Sequence, residues 1–210
     1  MTANVAVKLR ADATRNRERI IVAAREVLLE HGVEAPLDEI ARRAGVGNAT
    51  VYRHFADRQE LALQVALSVM YRLTRRAEEA LAQEADAFDA LRRFVHEAAD
   101  EGVGALCPML SNGCGVEDPR LEESRIRLER AIGELLAAGR RIGRLRADID
   151  VGDVMVAVSQ LTRPLPGLHC GSMDRFVRRH LQLFVDGLQA PVRSELPGQS
   201  ATFEDLRQCR

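Results

Sequence analysis

The chain has 210 residues, 46% of them hydrophobic, enough for a proper core in one large domain or in a small domain joined to a larger one. Thirty Lys and Arg against 31 Asp and Glu give a net charge of −1. That balance excludes a general coat for polyanions, so nucleic-acid binding would have to come from a local basic face.

Residues 1–13 lack apolar periodicity and are expected to form a flexible basic arm. Lys8, Arg10, Arg15, Arg17 and Arg19 face only Asp12 and Glu18 in the first nineteen residues, a charge excess suited to phosphate contact. A first helix is expected from near Thr14, with Ile20, Ile21, Ala24, Val27 and Leu28 as its stripe and His31-Gly32 as its stop. Pro36 fits the first turn of a second helix, where its missing N–H costs nothing. That helix buries Leu37, Ile40, Ala41 and Ala44, an i, i+3, i+4, i+7 pattern. Gly45 closes it in the left-handed conformation and Val46 plugs the turn. A third helix follows from about Asn48, read as its N-cap, with Val51 and Phe55 inward. Asn48, Ala49, Thr50, Arg53 and His54 then point outward, with Tyr52 at the boundary.

Asp57 and Glu60 have capping-box spacing and open a long fourth helix, striped by Leu61, Val65, Val69, Leu73 and Ala77 to about Ala82. A fifth helix runs from Asp86 through Phe88, Leu91, Val95 and Ala98 and loses definition at Gly102 and Gly104. Residues 105–110 are a short sixth helix and 111–115 a loop. Asp118-Pro119 starts a seventh, carried by Leu121, Leu128, Ile132, Leu135 and Ile142 to about Gly143. The eighth starts at Asp150, with Val151, Val154, Val158 and Leu161 on one face, and stops at Pro164 and Pro166. The ninth starts at Ser172 and buries Phe176, Val177, Leu181, Phe184 and Leu188. Residues 191–210 read as a tail in which Phe203 and Leu206 dock weakly. Alternation at period two is missing throughout, so the expected fold is all-α with about nine helices.

The stretch 37–55, LDEIARRAGVGNATVYRHF, is two short helices joined through a glycine turn, a helix-turn-helix pattern. A short polar helix held rigidly by a second one is what insertion into a major groove requires. Ile40-Ala41, Ala44-Gly45-Val46, Thr50, Tyr52 and His54-Phe55, followed by Arg58 and Leu61, resemble the DNA-binding signature of the TetR family of bacterial transcriptional regulators. The resemblance covers residues 14–63; beyond them it rests on helix count and length. It implies a homodimeric, mostly repressing regulator. An N-terminal three-helix head at 14–56 binds a palindromic DNA operator, and a helical body at 57–190 binds a small-molecule effector that releases the DNA. Carried over by position, Thr50, Tyr52, His54 and Arg58 contact phosphates while Asn48, Ala49 and Arg53 face base edges. One departure is Pro36, where the family usually has Ser or Thr, so a hydroxyl cap is absent. Asp38 and Glu39 in the same turn suit the helix dipole but repel phosphate, which leaves the third helix as the main DNA contact. The resemblance also pairs the last two helices, 151–161 and 176–188, with those of a second subunit. Two heads about 34 to 36 Å apart then read both halves of a palindrome.

For the effector, helices four to eight bring Met70, Phe88, Phe94, Met109, Met155 and Gln160 into one domain, a lining suited to a lipophilic ligand. The absence of Trp argues against an aromatic cage for cations. Cys107, Cys114, Cys170 and Cys209 lack zinc-type spacing and read as free thiols. With His96 or His169 they leave open a metal- or thiol-redox-responsive repressor. No phosphate loop, H-E-x-x-H or G-x-S-x-G is present, so neither an enzyme nor a cofactor is expected. A helical binding or interaction protein without specific DNA affinity is the remaining alternative. No run of about eighteen apolar residues occurs and no apolar stretch follows the first charges, which predicts a cytoplasmic protein without a membrane span.

Overall fold

The computed structural model describes residues 2–32, 35–106, 118–163 and 173–205, with side chains from 12 onward and, in the last stretch, from 175 onward. Nine helices lie among them, and no strand: α1 Thr2–His31, α2 Leu37–Ala44, α3 Asn48–His54, α4 Arg58–Gln83 and α5 Ala87–Asp100, then α6, whose described part is the turn 103–106, α7 Pro119–Arg141, α8 Val151–Leu161 and α9 Met173–Gly187. The all-α expectation and the helix count therefore stand.

Most boundaries follow from caps. Asp57 accepts from the Glu60 N–H at 2.8 Å and starts α4. Asp86 accepts from the N–H groups of Phe88 and Asp89 and starts α5, and Asp118, with Pro119 behind it, starts α7. These are oxygens satisfying donors that a helix leaves unpaired. At α8 the cap is reciprocal: Asp150 serves the helix while Asp153 accepts from the Asp150 N–H at 2.8 Å.

Four starts differ from the sequence reading. The first helix begins at Thr2, not near Thr14, because residues 2–31 hold four early alanines and neither Gly nor Pro; helix propensity continues where apolar periodicity stops. Pro36 is the N-cap of α2 rather than its first helical residue, and its carbonyl accepts from the Ile40 N–H at 3.3 Å. Gly47 caps α3, which makes Asn48 the first helical residue. Residue 103 opens α6, earlier than expected, because the Gly102 carbonyl already accepts from Ala105 and Leu106. Two side chains read as core are open. Ile142 follows the end of α7 and is 52% exposed, and Phe176 lies on the side of α9 opposite Leu181 and Val185.

α4 is the axis of the molecule. Its 26 residues, about 39 Å of helix, touch α1 at one end and α5 and α7 along the rest, and one hydrophobic core runs from Ile20 to Leu188. At the junction of α1, α4 and α5 the Glu101 carboxylate is 2% exposed. It accepts a two-bond fork from Arg72 at 2.7 and 2.9 Å, with Arg25 of α1 at 3.3 Å and Arg76 at 3.7 Å. Burial holds the Arg25 guanidinium below its usual value, and Glu101 pulls the other way. Leu29 of α1 lies directly on the neighbouring Gly102.

Residues 190–205 are more than a loose tail. Arg146, itself buried and forked onto Asp148, donates to the Ser194 carbonyl at 3.0 Å. The Ala201 N–H donates to Asp153 at 2.9 Å, and Phe203 packs on the core. Gly152 makes this docking possible, since a Cβ there would stand 2.3 Å from the Ala201 carbonyl oxygen. Leu206 lies outside the described residues.

Candidate nucleic-acid interface

The turn between α2 and α3 is fixed by backbone geometry. Gly45 sits at φ 65° and ψ 39°, its N–H bonds the Arg42 carbonyl at 3.1 Å, and the Val46 N–H reaches back to Ala41 at 3.0 Å. This pair of bonds is a Schellman closure, which requires the left-handed conformation that glycine adopts without strain. Val46 is half-buried and packs against the core. From α1, Arg19 donates to the Ala44 carbonyl at 2.5 Å, so a cation also stands at the negative end of α2.

α3 is thereby held with one side in and one side out. Val51 and Phe55 are 3% and 2% exposed. Asn48, Ala49, Tyr52 and Arg53 are exposed, with Thr50 and His54 half-buried along the edges. The outward groups are ordered by their neighbours: Arg53 Nη2 donates to Thr50 Oγ1 at 3.1 Å, and Asn48 Nδ2 donates to Asp38 of α2. The His54 ring stands tilted beside Phe55, and Arg17 lies over the Phe55 ring, 5.1 Å from its centre. Glu39 is held well down, at about 2, first by the hydrogen bond from Arg42 and then by the charges of Arg42 and Arg43. Arg43 ties the same helix to α1 through Glu30 at 2.5 and 2.7 Å.

Six of the seven expected DNA-contact residues thus share one projecting surface: Asn48, Ala49, Thr50, Tyr52, Arg53 and His54. Arg58, at the start of α4, donates to the Ala35 carbonyl and fastens the approach to α2. The arm reading changes too. Arg17 lies over Phe55 and Arg19 reaches the end of α2, so these two brace the head, while Arg15 pairs with Asp12 within α1. Nothing in the sequence announces the Arg19, Arg58 or Asn48 contacts, because each joins residues ten or more positions apart across a turn.

Of the six expected effector contacts, Met70, Phe88, Phe94 and Met155 are buried in the shared core, and Gln160 is exposed on α8. Arg92 and Arg144 each stand 5.6 Å from the Phe88 ring. Met109, the four cysteines and His169 lie outside the described residues, and among those described no cluster of metal-binding side chains occurs. His96 instead faces Gln182 of α9 at 3.2 Å.

The family model for bacterial regulatory proteins of the tetR family matches residues 20–65, and the model for the SbtR-like transcriptional regulator C-terminal domain matches residues 85–190. Over 65 residues the chain is 48% identical to the HTH-type transcriptional regulator TtgW of Pseudomonas putida, a match that covers 30% of this chain and 48% of that protein. The chain therefore spans about half the length of that curated relative. Similarity to solved structures is longer. A TetR transcription regulatory protein from Mycobacterium vanbaalenii is 33% identical over 86% of this chain and 99% of its own, with a TM-score of 0.61. A TetR transcriptional regulator from Streptomyces coelicolor is 27% identical over 82% of this chain and 98% of its own, with a TM-score of 0.64.

Proposed function

Because the chain belongs to the TetR family of bacterial DNA-binding transcriptional regulators, we propose that it is a homodimeric repressor that sits on a palindromic operator and is released by a small-molecule effector. The observation that carries this reading is the projecting side of α3, rigid behind the Gly45 closure and lined by hydrogen-bonding groups at its centre and edges. Asn48, Ala49 and Arg53 face base edges, while Thr50, Tyr52 and His54 take phosphates. Arg58, at the start of α4 beside this surface, is a further phosphate contact. The head, 14–56, does the reading, and the body, 57–190, takes the effector and the second subunit.

One seven-residue helix offers few contacts, and specific affinity at physiological salt comes from two heads one DNA turn apart. The surface for a second subunit is supported by Val156 on α8 and Phe176 and Leu183 on α9, all apolar and exposed. The effector acts by preferring a dimer whose heads are misplaced for the operator; by linkage, DNA then weakens effector binding by the same factor. No described helix is long and apolar enough to cross a membrane.

A salt-titrated binding measurement on the DNA flanking the protein's own gene, with a random duplex as competitor, tests the reading. Preference for a palindrome at two chains per site supports it. Equal, weak binding to both duplexes removes it and leaves a helical binding protein.

A further inference from the structure

α9 has two opposed sides. Leu181, Val185 and Leu188 face the body and are 4% exposed or less. On the other side Phe176, Arg179, Leu183 and Asp186 follow at helical spacing, with Phe176 and Leu183 keeping 42% and 58% of their surface. This open side is polarised along its length. Arg175 and Arg179 make its first half basic, and Asp186 makes its second half acidic. Asp186 accepts a hydrogen bond from Gln182 at 2.7 Å, and among the described residues neither it nor Arg179 has an ion-pair partner.

A stripe with a positive end and a negative end repels a parallel copy of itself and matches an antiparallel one. A two-fold axis produces that arrangement, because whatever residue i meets, its symmetry mate meets in return. Arg179 and Asp186 are separated by about 10 Å along the helix, with Gln182 and Leu183 midway between them. We propose that a second copy of this chain docks here with the axis beside Leu183, so that Arg179 of each subunit lies on the partner's Asp186 and the two Leu183 side chains meet. The same register carries the partner's Phe176 over an open cleft of about 1170 Å³ just beyond α9, where Leu183, Pro191, Val192 and Leu196 form apolar walls. Residues 190–196, docked through Arg146, thereby become part of the subunit contact. The inference rests on the dimer reading above and adds its register.

Charge reversal tests it. Sedimentation equilibrium is run on the wild type, on Arg179→Asp, on Asp186→Arg and on an equimolar mixture of the two variants, with circular dichroism as the check on folding. Each variant alone sets like charges against each other at both contacts and dissociates at least about tenfold more readily than the wild type. In the mixture both contacts regain opposite charges, so heterodimers form and dissociation returns toward the wild-type level. Added salt narrows these differences. Phe176→Ser alters no charge and weakens association at every salt concentration. If the wild type is dimeric and the reversals and their mixture associate alike, the register is wrong while the dimer stands. A wild type that stays monomeric at all concentrations removes the dimer reading and the register with it.

Discussion

Arg53 occupies the exposed middle of α3 with one guanidinium nitrogen already on Thr50. That bond orients the fork, and the proposed role gives its remaining donors a base edge. Arg53→Ala is expected to cost about 1 to 3 kcal/mol on the preferred operator and to relax sequence preference at one position. If the loss is instead uniform over all duplexes and the salt slope falls by about one, the contact is to phosphate. Gly45→Ala acts on the same surface from behind. It forces a side chain into the left-handed region and puts a Cβ 2.7 Å from Arg19 Nη2, so the cap on Ala44 has to withdraw. We expect a loss of about 1 to 2 kcal/mol in urea denaturation, with DNA affinity falling as well because α3 loses its fixed angle. Glu39 gives the head a pH dependence. Its folded value of about 2 lies below the ordinary 4.5, so its contribution is complete above 4.5 and is lost as pH falls toward 2. Thermal midpoints measured across that interval should fall less steeply in Glu39→Gln than in the wild type.

At the scale of elements, α8 and the segment that docks on it make the sharpest case. Gly152→Ala places a methyl group against backbone that cannot yield, although alanine is the better helix former by about 1 kcal/mol. The expected outcome is an intact α8 with residues 196–205 displaced, read by limited proteolysis as new cleavage in that segment while helix content is kept. The sequence hid this docking for a physical reason: the contact joins a backbone N–H to a carboxylate 48 residues away, and neither partner has a recognisable pattern of its own. Helix starts were legible wherever a short acid precedes an apolar stripe, as at Asp57, Asp86, Asp118 and Asp150, because the cap and the donor it satisfies are local. The start of α1 was not legible. Its first residues are held by propensity alone, and periodicity reports only the part of a helix that has a core to face.

At the scale of the whole molecule, Glu101 is where head and body meet. Glu101→Gln removes the carboxylate that Arg25, Arg72 and Arg76 share, leaving Arg76 with Glu97. The cost should stay below the roughly 3 to 5 kcal/mol of a fully buried pair, because Arg72 and Arg76 keep 42% and 39% of their side-chain surface. Hydrogen exchange should report the change as faster opening of the second half of α1, with α7 unaffected. The candidate DNA surface was legible almost residue by residue, since a helix-turn-helix is local and its glycine, its apolar plug and its polar face are neighbours in the chain. The effector lining was not. Met70, Phe88, Phe94 and Met155 satisfy a pocket and a core equally well on sequence, and all four are buried in the core shared by the body helices.

The docking of Ala201 on Asp153 also sets an order of events during synthesis. Asp153 is made 48 residues before its partner, an interval of about 2 to 10 s at 5 to 20 residues per second. Helices form in microseconds or less, so α8 can form, with Gly152 uncovered, seconds before the chain that closes it exists. During translation the face of α8 at Gly152 and Asp153 stands uncovered, and the segment carrying Ala201 and Phe203 is what closes it.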